Sequence, residues 1–267
     1  VLEAMTNYSG NKLFYEKGVD LYYNTTDFHN RVNLNLDDRS DFNKAKTVAK
    51  KADVVVMVLG EEGYQSGEGR SRTNIKLPGL QLELLKEVYE INKNIVLVVN
   101  SGRPLDLSWE DENIPTIVQA WQLGSRSGEA IAKVLYGDYN PSGKLTMSFP
   151  RNVGQVPIYY NFKNTGRPST SIEQVTNSGY ADVENSALYP FGHGLSYTKF
   201  SYTDVLLDNT ELTLKSKITL SFKIKNIGTV KGTEIAQMYI RDVVGSIARP
   251  MRELKGFKVV ELNPGET

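Results

Sequence analysis

Three short apolar runs in the first half of the chain constrain its fold more than any other feature. The runs are Val54–Leu59, Ile95–Val99 and Thr116–Trp121, and their many Val and Ile residues are typical of strands buried on both faces. Segments with the apolar spacing of amphipathic helices alternate with these runs, at 41–51, 80–92 and 127–136. This alternation predicts an α/β fold in which a mostly parallel sheet carries helices on both faces.

Less pronounced patterns predict three further elements in the same region. We expect a helix over 1–8, a short strand at 12–15 and a last strand at 144–149. No strand pattern precedes the opening helix, so we expect the first strand of this domain to be missing.

The sequence changes character after Pro150. Residues 151–195 are rich in Asn, Gly, Pro, Ser and Tyr, and they predict a long irregular linker. From Ser196 onward, apolar and polar residues alternate between turn signals, which predicts an immunoglobulin-like β-sandwich over 196–267. This stretch is shorter than the roughly 100 residues of such a sandwich, so we expect it to be truncated. The α/β domain is expected over 1–150.

Composition argues against several classes of function. Lys plus Arg and Asp plus Glu both number 31, so no net charge favours nucleic acid or an anionic membrane. No apolar run approaches the roughly 20 residues of a membrane-spanning helix. The chain has no cysteine and only two histidines, His29 and His193, which excludes thiolate chemistry and disfavours a zinc site. The opening residues, Val1–Met5, show neither an initiator Met nor a leader pattern, and we expect a processed or excised fragment.

The loop after the first apolar run is the most informative about function. Residues 60–77 connect the predicted strand to the helix that begins near Leu80. They span about 18 residues, where such a connection usually takes roughly two to six. The loop holds three acidic residues, two arginines and four glycines. Long polar loops at strand ends are where α/β proteins place binding and catalytic groups, so we expect the function to reside here.

Several short motifs follow one another along the whole chain. The loop contains SGEGRSR at 66–72, and LPGLQ follows at 77–81. Further along stand NSGRPLDLSW at 100–109, WQLGSRSGEAIAKVLYGDYNPSGKLTMSFP at 121–150, NTGRP at 164–168, YPFGHGLSYTKF at 189–200, and a tail with NIGTVKGTEIAQMYI and RPMRELKGF. Together, these segments resemble the C-terminal half of glycoside hydrolase family 3 enzymes of the β-glucosidase type.

The resemblance implies a retaining β-glycosidase with an N-terminal β/α barrel, an α/β sandwich and a fibronectin-III-like module. In the family, the barrel supplies an aspartate nucleophile and the sandwich supplies the general acid/base, which matches Glu68 here. No segment of this chain resembles the barrel, so we expect the nucleophile to lie outside it and the chain alone to be inactive. The expected partners are the barrel of the same parent enzyme and a β-linked oligosaccharide or glycoside. The resemblance implies neither a metal nor an organic cofactor.

Residues near Glu68 are candidates for supporting roles. Arg72 is a candidate to orient Glu68 or to contact the sugar, although an arginine in an acidic loop more commonly forms a local salt bridge. Ser66 and Gln65 are candidates for contact with the leaving-group sugar. Glu61, at the carboxyl end of the predicted strand, is expected to organise the loop.

Other polar residues receive structural interpretations. Glu62 is expected to be exposed, and Arg70 to form a local salt bridge, with orientation of Glu68 or contact with the sugar as its alternatives. Arg103, in the turn after the second apolar run, is interpreted as a loop and domain contact. His193 lies in a glycine-rich junction where packing is the favoured role, and His29 has no partner motif.

Alternative functions stay open at this point. The chain is interpretable as a non-catalytic structural or carbohydrate-contacting module, and its parent as a β-xylosidase rather than a β-glucosidase. A nucleotide site is disfavoured, because the glycines of the long loop do not match G-x-G-x-x-G. The usual location of such family members and a polysaccharide substrate favour a periplasmic or secreted parent enzyme.

Overall fold

The computed structural model describes residues 1–24, 32–169, 173 and 176–267. The chain packs as two compact units. The first unit comprises Val1–Ala132, Met147–Tyr159 and Thr165–Pro190, and the second comprises Lys133–Thr146, Tyr160–Asn164 and Phe191–Thr267. The division into domains and a linker near 150 and 195 stays a prediction.

A three-stranded parallel sheet forms the centre of the first unit. Its strands are β1 (Val55–Gly60), β2 (Ile95–Asn100) and β3 (Thr116–Gln119), paired in the order β1-β2-β3. Gly60 pairs with Asn100, so the carboxyl ends of β1 and β2 lie at one edge of the sheet. The loops that leave this edge are therefore neighbours in space.

Five α-helices accompany the strands in the described part of the chain. They are α1 (Leu2–Met5), α2 (Phe42–Ala49), α3 (Gln81–Ile91), α4 (Ser108–Asn113) and α5 (Ser127–Tyr136). The helix α3 buries Leu84, Leu85 and Val88 on one face, which is the spacing expected of a helix packed on a sheet. The predictions of α2, α3 and α5 are confirmed, whereas no sequence pattern predicts α4.

Three smaller predictions in this region need correction. The opening helix ends at Met5 rather than near residue 8. Residues 12–15 form no strand, because a short apolar segment that has no pairing partner in the described chain cannot build a ladder. The expected strand at 144–149 is reduced to an isolated bridge between Phe149 and Tyr189, with Pro150, which has no amide hydrogen to donate, directly after it.

Antiparallel strands build the second unit, as predicted. Its strands are β4 (Phe200–Leu207), β5 (Leu220–Asn226), β6 (Gly232–Ile240) and β7 (Glu253–Leu262). The pairs are β4 with β5 and β6 with β7. A small core of Ile224, Ala236 and Leu262, with Phe200 and Val260 packed against it, joins the two pairs.

The main hydrophobic core lies in the first unit. Ile95, Leu97, Val98 and Val99 of β2 are completely buried, as expected for a central strand. Among the described residues, no helix is long and apolar enough to cross a bilayer.

Candidate functional site

The long loop that follows β1 is closed at its base by a buried amide. Gln81, at the start of α3, accepts a hydrogen bond from the Gly60 amide (2.7 Å) and donates to the Gly60 carbonyl (2.8 Å) and the Pro78 carbonyl (3.0 Å). Gly60 fits because it has a positive φ and because a Cβ there would lie 1.8 Å from the Asn100 carbonyl oxygen. Both ends of the loop are thereby fixed beside the end of β2.

Glu61 is a buried carboxylate with two arginine partners. Its side chain is completely buried, and its Oε1 lies 2.6 Å from Arg72 Nη1 and 2.9 Å from Arg103 Nε. The first contact is a hydrogen bond; the second is an ion pair whose N–H is not aligned for one. The Gly102 amide donates to Oε2 at 3.3 Å. A buried charge is tolerated only with such partners, so these contacts hold the Glu61 side chain in one position.

Arg103 connects Glu61 to the main chain further along the loop. Its Nη2 donates to the carbonyls of Gln65 and Arg70, the latter at 2.7 Å. Arg72 donates similarly from Nη2 to the Lys76 carbonyl at 3.0 Å. The two guanidinium groups therefore tie three main-chain carbonyls of the loop to one carboxylate.

Glu68 lies at the exposed tip of the loop. The Arg70 amide donates to the Gly67 carbonyl at 3.2 Å and closes a turn with Glu68 as its second residue. Gly67 and Gly69 both have positive φ, which glycine adopts without steric cost. Glu68 makes no hydrogen bond or ion pair within the part of the chain that the structure describes. A carboxylate in this state is free to approach another group.

The other predicted site residues lie in the same loop but face inward. Gln65 is buried, and its side chain accepts from the Glu62 amide at 2.9 Å, while Glu62 accepts from the Tyr64 amide at 2.8 Å. This capping box leaves Glu62 half-buried rather than exposed, which corrects the expectation. Ser66 packs against Gly102, where a Cβ would lie 1.9 Å from the Ser66 hydroxyl oxygen. Contact of Gln65, Ser66 or Arg72 with a sugar stays a prediction.

A second buried carboxyl group stands on α4 and has no such partners. Glu110 is 1% exposed, and its Oε1 has no hydrogen-bond partner among the residues that the structure describes. Burial, with a smaller contribution from the Asp106 carboxylate, raises the pKa of Glu110 from 4.5 to about 7. Nearby, the Tyr189 hydroxyl donates to Asp111 at 2.5 Å, and burial together with this bond raises the pKa of Tyr189.

The described residues hold no cluster of three or more His, Asp or Glu side chains suited to a metal ion. His193 lies in the second unit, where its carbonyl accepts from the Leu145 amide at 2.7 Å. His29 lies outside the described residues.

Sequence reasoning misses two contacts that shape the loop. Gln81 stands in the LPGLQ motif, but nothing in that motif shows that its amide bonds Gly60 across about 20 residues. The sequence interprets Arg103 as a loop contact, and the structure adds the carbonyls that it binds. The sequence does contain a signal for the ion pair between Arg103 and Glu61. Glu61 directly follows one predicted strand, and Arg103 lies shortly after the next.

The fold and this loop define a class: an α/β domain with a polar, carboxylate-bearing loop at the strand ends, followed along the chain by an antiparallel β-module. The glycosyl hydrolase family 3 C-terminal domain matches residues 1–197, and a fibronectin type III-like domain matches residues 234–267. The chain therefore belongs to glycoside hydrolase family 3 and corresponds to the C-terminal region of its members.

Similar proteins agree with this assignment. A periplasmic β-glucosidase of Salmonella typhimurium is 43% identical over 265 residues, covering 96% of this chain and 35% of the relative. A β-xylosidase of Formosa agariphila is 38% identical, covering 99% of this chain and 37% of the relative. A crystal structure of a Listeria innocua β-glucosidase in complex with glucose has a TM-score of 0.83 at 39% identity, covering 88% of this chain and 33% of that one. The chain thus spans about a third of the length of these proteins.

Proposed function

We propose that this chain supplies the general acid/base of a retaining β-glycosidase, and that Glu68 is that residue. The observation that carries the proposal is a carboxylate without a partner among the described residues, on the exposed tip of a loop whose base is anchored by buried contacts. An N-terminal β/α barrel is the proposed partner and carries the nucleophile.

The proposed reaction uses two carboxyl groups on opposite sides of the scissile bond, about 5–5.5 Å apart. Glu68, protonated, first donates its proton to the leaving-group oxygen while the nucleophile attacks the anomeric carbon. Glu68, now ionised, then removes a proton from the water that hydrolyses the glycosyl-enzyme intermediate.

The loop geometry suits this role. Glu68 must reach a substrate held by another domain, and it stands on an exposed turn at a strand end without an ion-pair partner among the described residues. Glu61 is unsuited because its side chain is completely buried and bound by two arginines. The choice between the two carboxylates therefore rests on exposure and partners.

The proposed substrates are terminal non-reducing β-D-glucosyl residues, since β-glucosidases predominate among the similar proteins and one of them is complexed with glucose. A β-xylosidase parent is the alternative that the Formosa relatives support. A periplasmic or secreted location is proposed from the periplasmic Salmonella relative.

The test is a chimera in which this chain replaces the matching region of the Salmonella enzyme. Hydrolysis of p-nitrophenyl β-D-glucoside and β-D-xyloside is measured for the chimera and for its Glu68→Ala variant. We expect the variant to lose about 10²–10⁴-fold in kcat. Azide should restore part of the rate, because it attacks the glycosyl-enzyme intermediate without needing a base.

The matched control is Glu90→Ala, which removes an exposed glutamate from α3. It should leave turnover unchanged. Unchanged turnover in Glu68→Ala would remove the acid/base assignment. A folded chimera that hydrolyses neither glycoside would instead favour a non-catalytic module.

A further inference from the structure

We propose that Glu61 is a positioning residue, whose buried carboxylate holds the loop tip that carries Glu68 through Arg72 and Arg103. The proposal rests on the assignment of Glu68 as the acid/base. Glu61 touches no reacting atom in this scheme; it acts only through the loop.

The path from Glu61 to the tip is short. Arg103 Nε lies 2.9 Å from Glu61 Oε1, and Arg103 Nη2 donates to the carbonyls of Gln65 and Arg70. These carbonyls lie three residues before and two residues after Glu68. One guanidinium thus holds both limbs of the turn that presents Glu68.

Arg72 holds the part of the loop that leads from Glu68 towards α3, through contacts separate from those of Arg103. It pairs with the same Glu61 oxygen at 2.6 Å and donates to the Lys76 carbonyl at 3.0 Å. The two arginine side chains are only 15% and 21% exposed, so water is a poor substitute for the carboxylate as their counter-charge. Loss of the Glu61 charge should release both.

The geometry also explains why a carboxylate stands at position 61. Glu61 directly follows β1, and its amide donates to the Asn100 carbonyl at 2.7 Å. The backbone at this point is therefore part of the sheet edge. A charge fixed to that edge transfers the rigidity of the sheet to a loop of about 18 residues that has no regular strand or α-helix of its own.

The first measurement is hydrogen exchange of the 267-residue chain and its Glu61→Gln variant. Glutamine preserves the size of the side chain and removes its charge. We expect the hydrogen-bonded amides of Gln65 and Arg70 to exchange at least tenfold faster in the variant, while those of β2 stay protected. Glu90→Gln, the same substitution at an exposed site, should change neither region.

The second measurement is kinetic and uses the chimera described above. Glu61→Gln should lower kcat about 10²-fold, the order expected for a misplacement of about 1 Å, with KM within about threefold of the parent. The loss should be larger for cellobiose than for p-nitrophenyl glucoside, since the poorer leaving group depends more on proton donation. In a Glu68→Ala background, Glu61→Gln should cost little more, because both act on one step.

These outcomes separate the two proposals. Equal losses for both leaving groups, or full additivity with Glu68→Ala, would reduce Glu61 to a general structural role. Unchanged exchange at the Gln65 and Arg70 amides would overturn the inference even if Glu68 is catalytic. Unchanged activity in Glu68→Ala would instead overturn the proposed function. Should Glu61→Gln not fold, Arg103→Lys tests the same link, because an ammonium group cannot reproduce the fork that spans two carbonyls.

Discussion

The base and the tip of one loop show opposite designs. At the base, Gly60 and Glu61 are enclosed by the end of β2, by the Gln81 amide and by two arginines. At the tip, a methyl group added to Gly67 or Gly69 would meet no atom within 4 Å, and Glu68 has no partner in the described chain. The two glutamates, Glu61 and Glu68, are only seven positions apart in the sequence.

The difference shows how a loop can be both rigid and accessible. The anchoring groups are buried and paired, so they order the chain, whereas the tip is left free of contacts that would compete with a substrate. Substitutions at the two ends should therefore have very different costs.

The largest expected effect is at the base. Gly60→Ala places a Cβ 1.8 Å from the Asn100 carbonyl oxygen at a positive φ, and should lower the free energy of unfolding of the first unit by about 3–4 kcal/mol. Urea unfolding followed by tryptophan fluorescence reports this unit, because Trp109 and Trp121 both lie in it. A loss under about 1 kcal/mol would show that β1 and β2 separate easily at this edge.

Glu110 tests what a buried carboxyl group costs without the counter-charges of Glu61. Since its pKa is raised from 4.5 to about 7, the folded chain binds this proton more tightly than the unfolded chain. The stability linked to Glu110 is therefore complete below about pH 4.5 and is lost as pH rises towards 7, by at most about 3 kcal/mol. Glu110→Gln should flatten this part of the pH profile, measured by urea unfolding between pH 4.5 and 8. An unchanged slope would assign the pH dependence to other groups.

The amide that closes the base should have an intermediate effect. Gln81→Leu keeps the apolar volume but leaves the buried amide and carbonyl of Gly60 without their side-chain partner, at a cost of about 2 kcal/mol in unfolding free energy. Gln81→Glu is the informative comparison, because it keeps an acceptor for the Gly60 amide and loses the donor. If the leucine variant matches the parent, the loop base is held by the sheet alone.

The smallest effect is expected at the tip. Gly69→Ala meets no atom within 4 Å, so its cost is limited to the positive φ, about 1 kcal/mol. The same unfolding measurement, set beside Gly60→Ala, compares one substitution at the two ends of the loop. Equal losses at both positions would contradict the contrast between base and tip.

Much of the fold follows from local pattern. The runs that form β1, β2 and β3 are short and β-branched, and the spacing of Leu84, Leu85 and Val88 identifies the buried face of α3. The long loop is recognisable in the sequence because it exceeds the usual length of a strand-to-helix connection.

The parts that could not be predicted depend on contacts distant in sequence. The bonds from Gln81 to Gly60 and from Arg103 to the carbonyls of 65 and 70 arise only when the sheet brings the strand ends together. Burial of Glu110 has the same origin, since α4 is a short helix with acidic residues that alone would suggest exposure. The strand prediction for 12–15 is wrong for the converse reason, because the apolar residues there have no partner strand in the described chain.

The grip of Arg103 on main-chain oxygens has an evolutionary consequence. Every amino acid provides the same carbonyl, so the residues at 65 and 70 can be exchanged without removing the acceptors that Arg103 uses. Residues 66–69 can thus change while the bonds from Arg103 to the main chain on either side of them stay in place. Grafting the tip of one enzyme onto the base of another is a direct route to new leaving-group preferences on this scaffold.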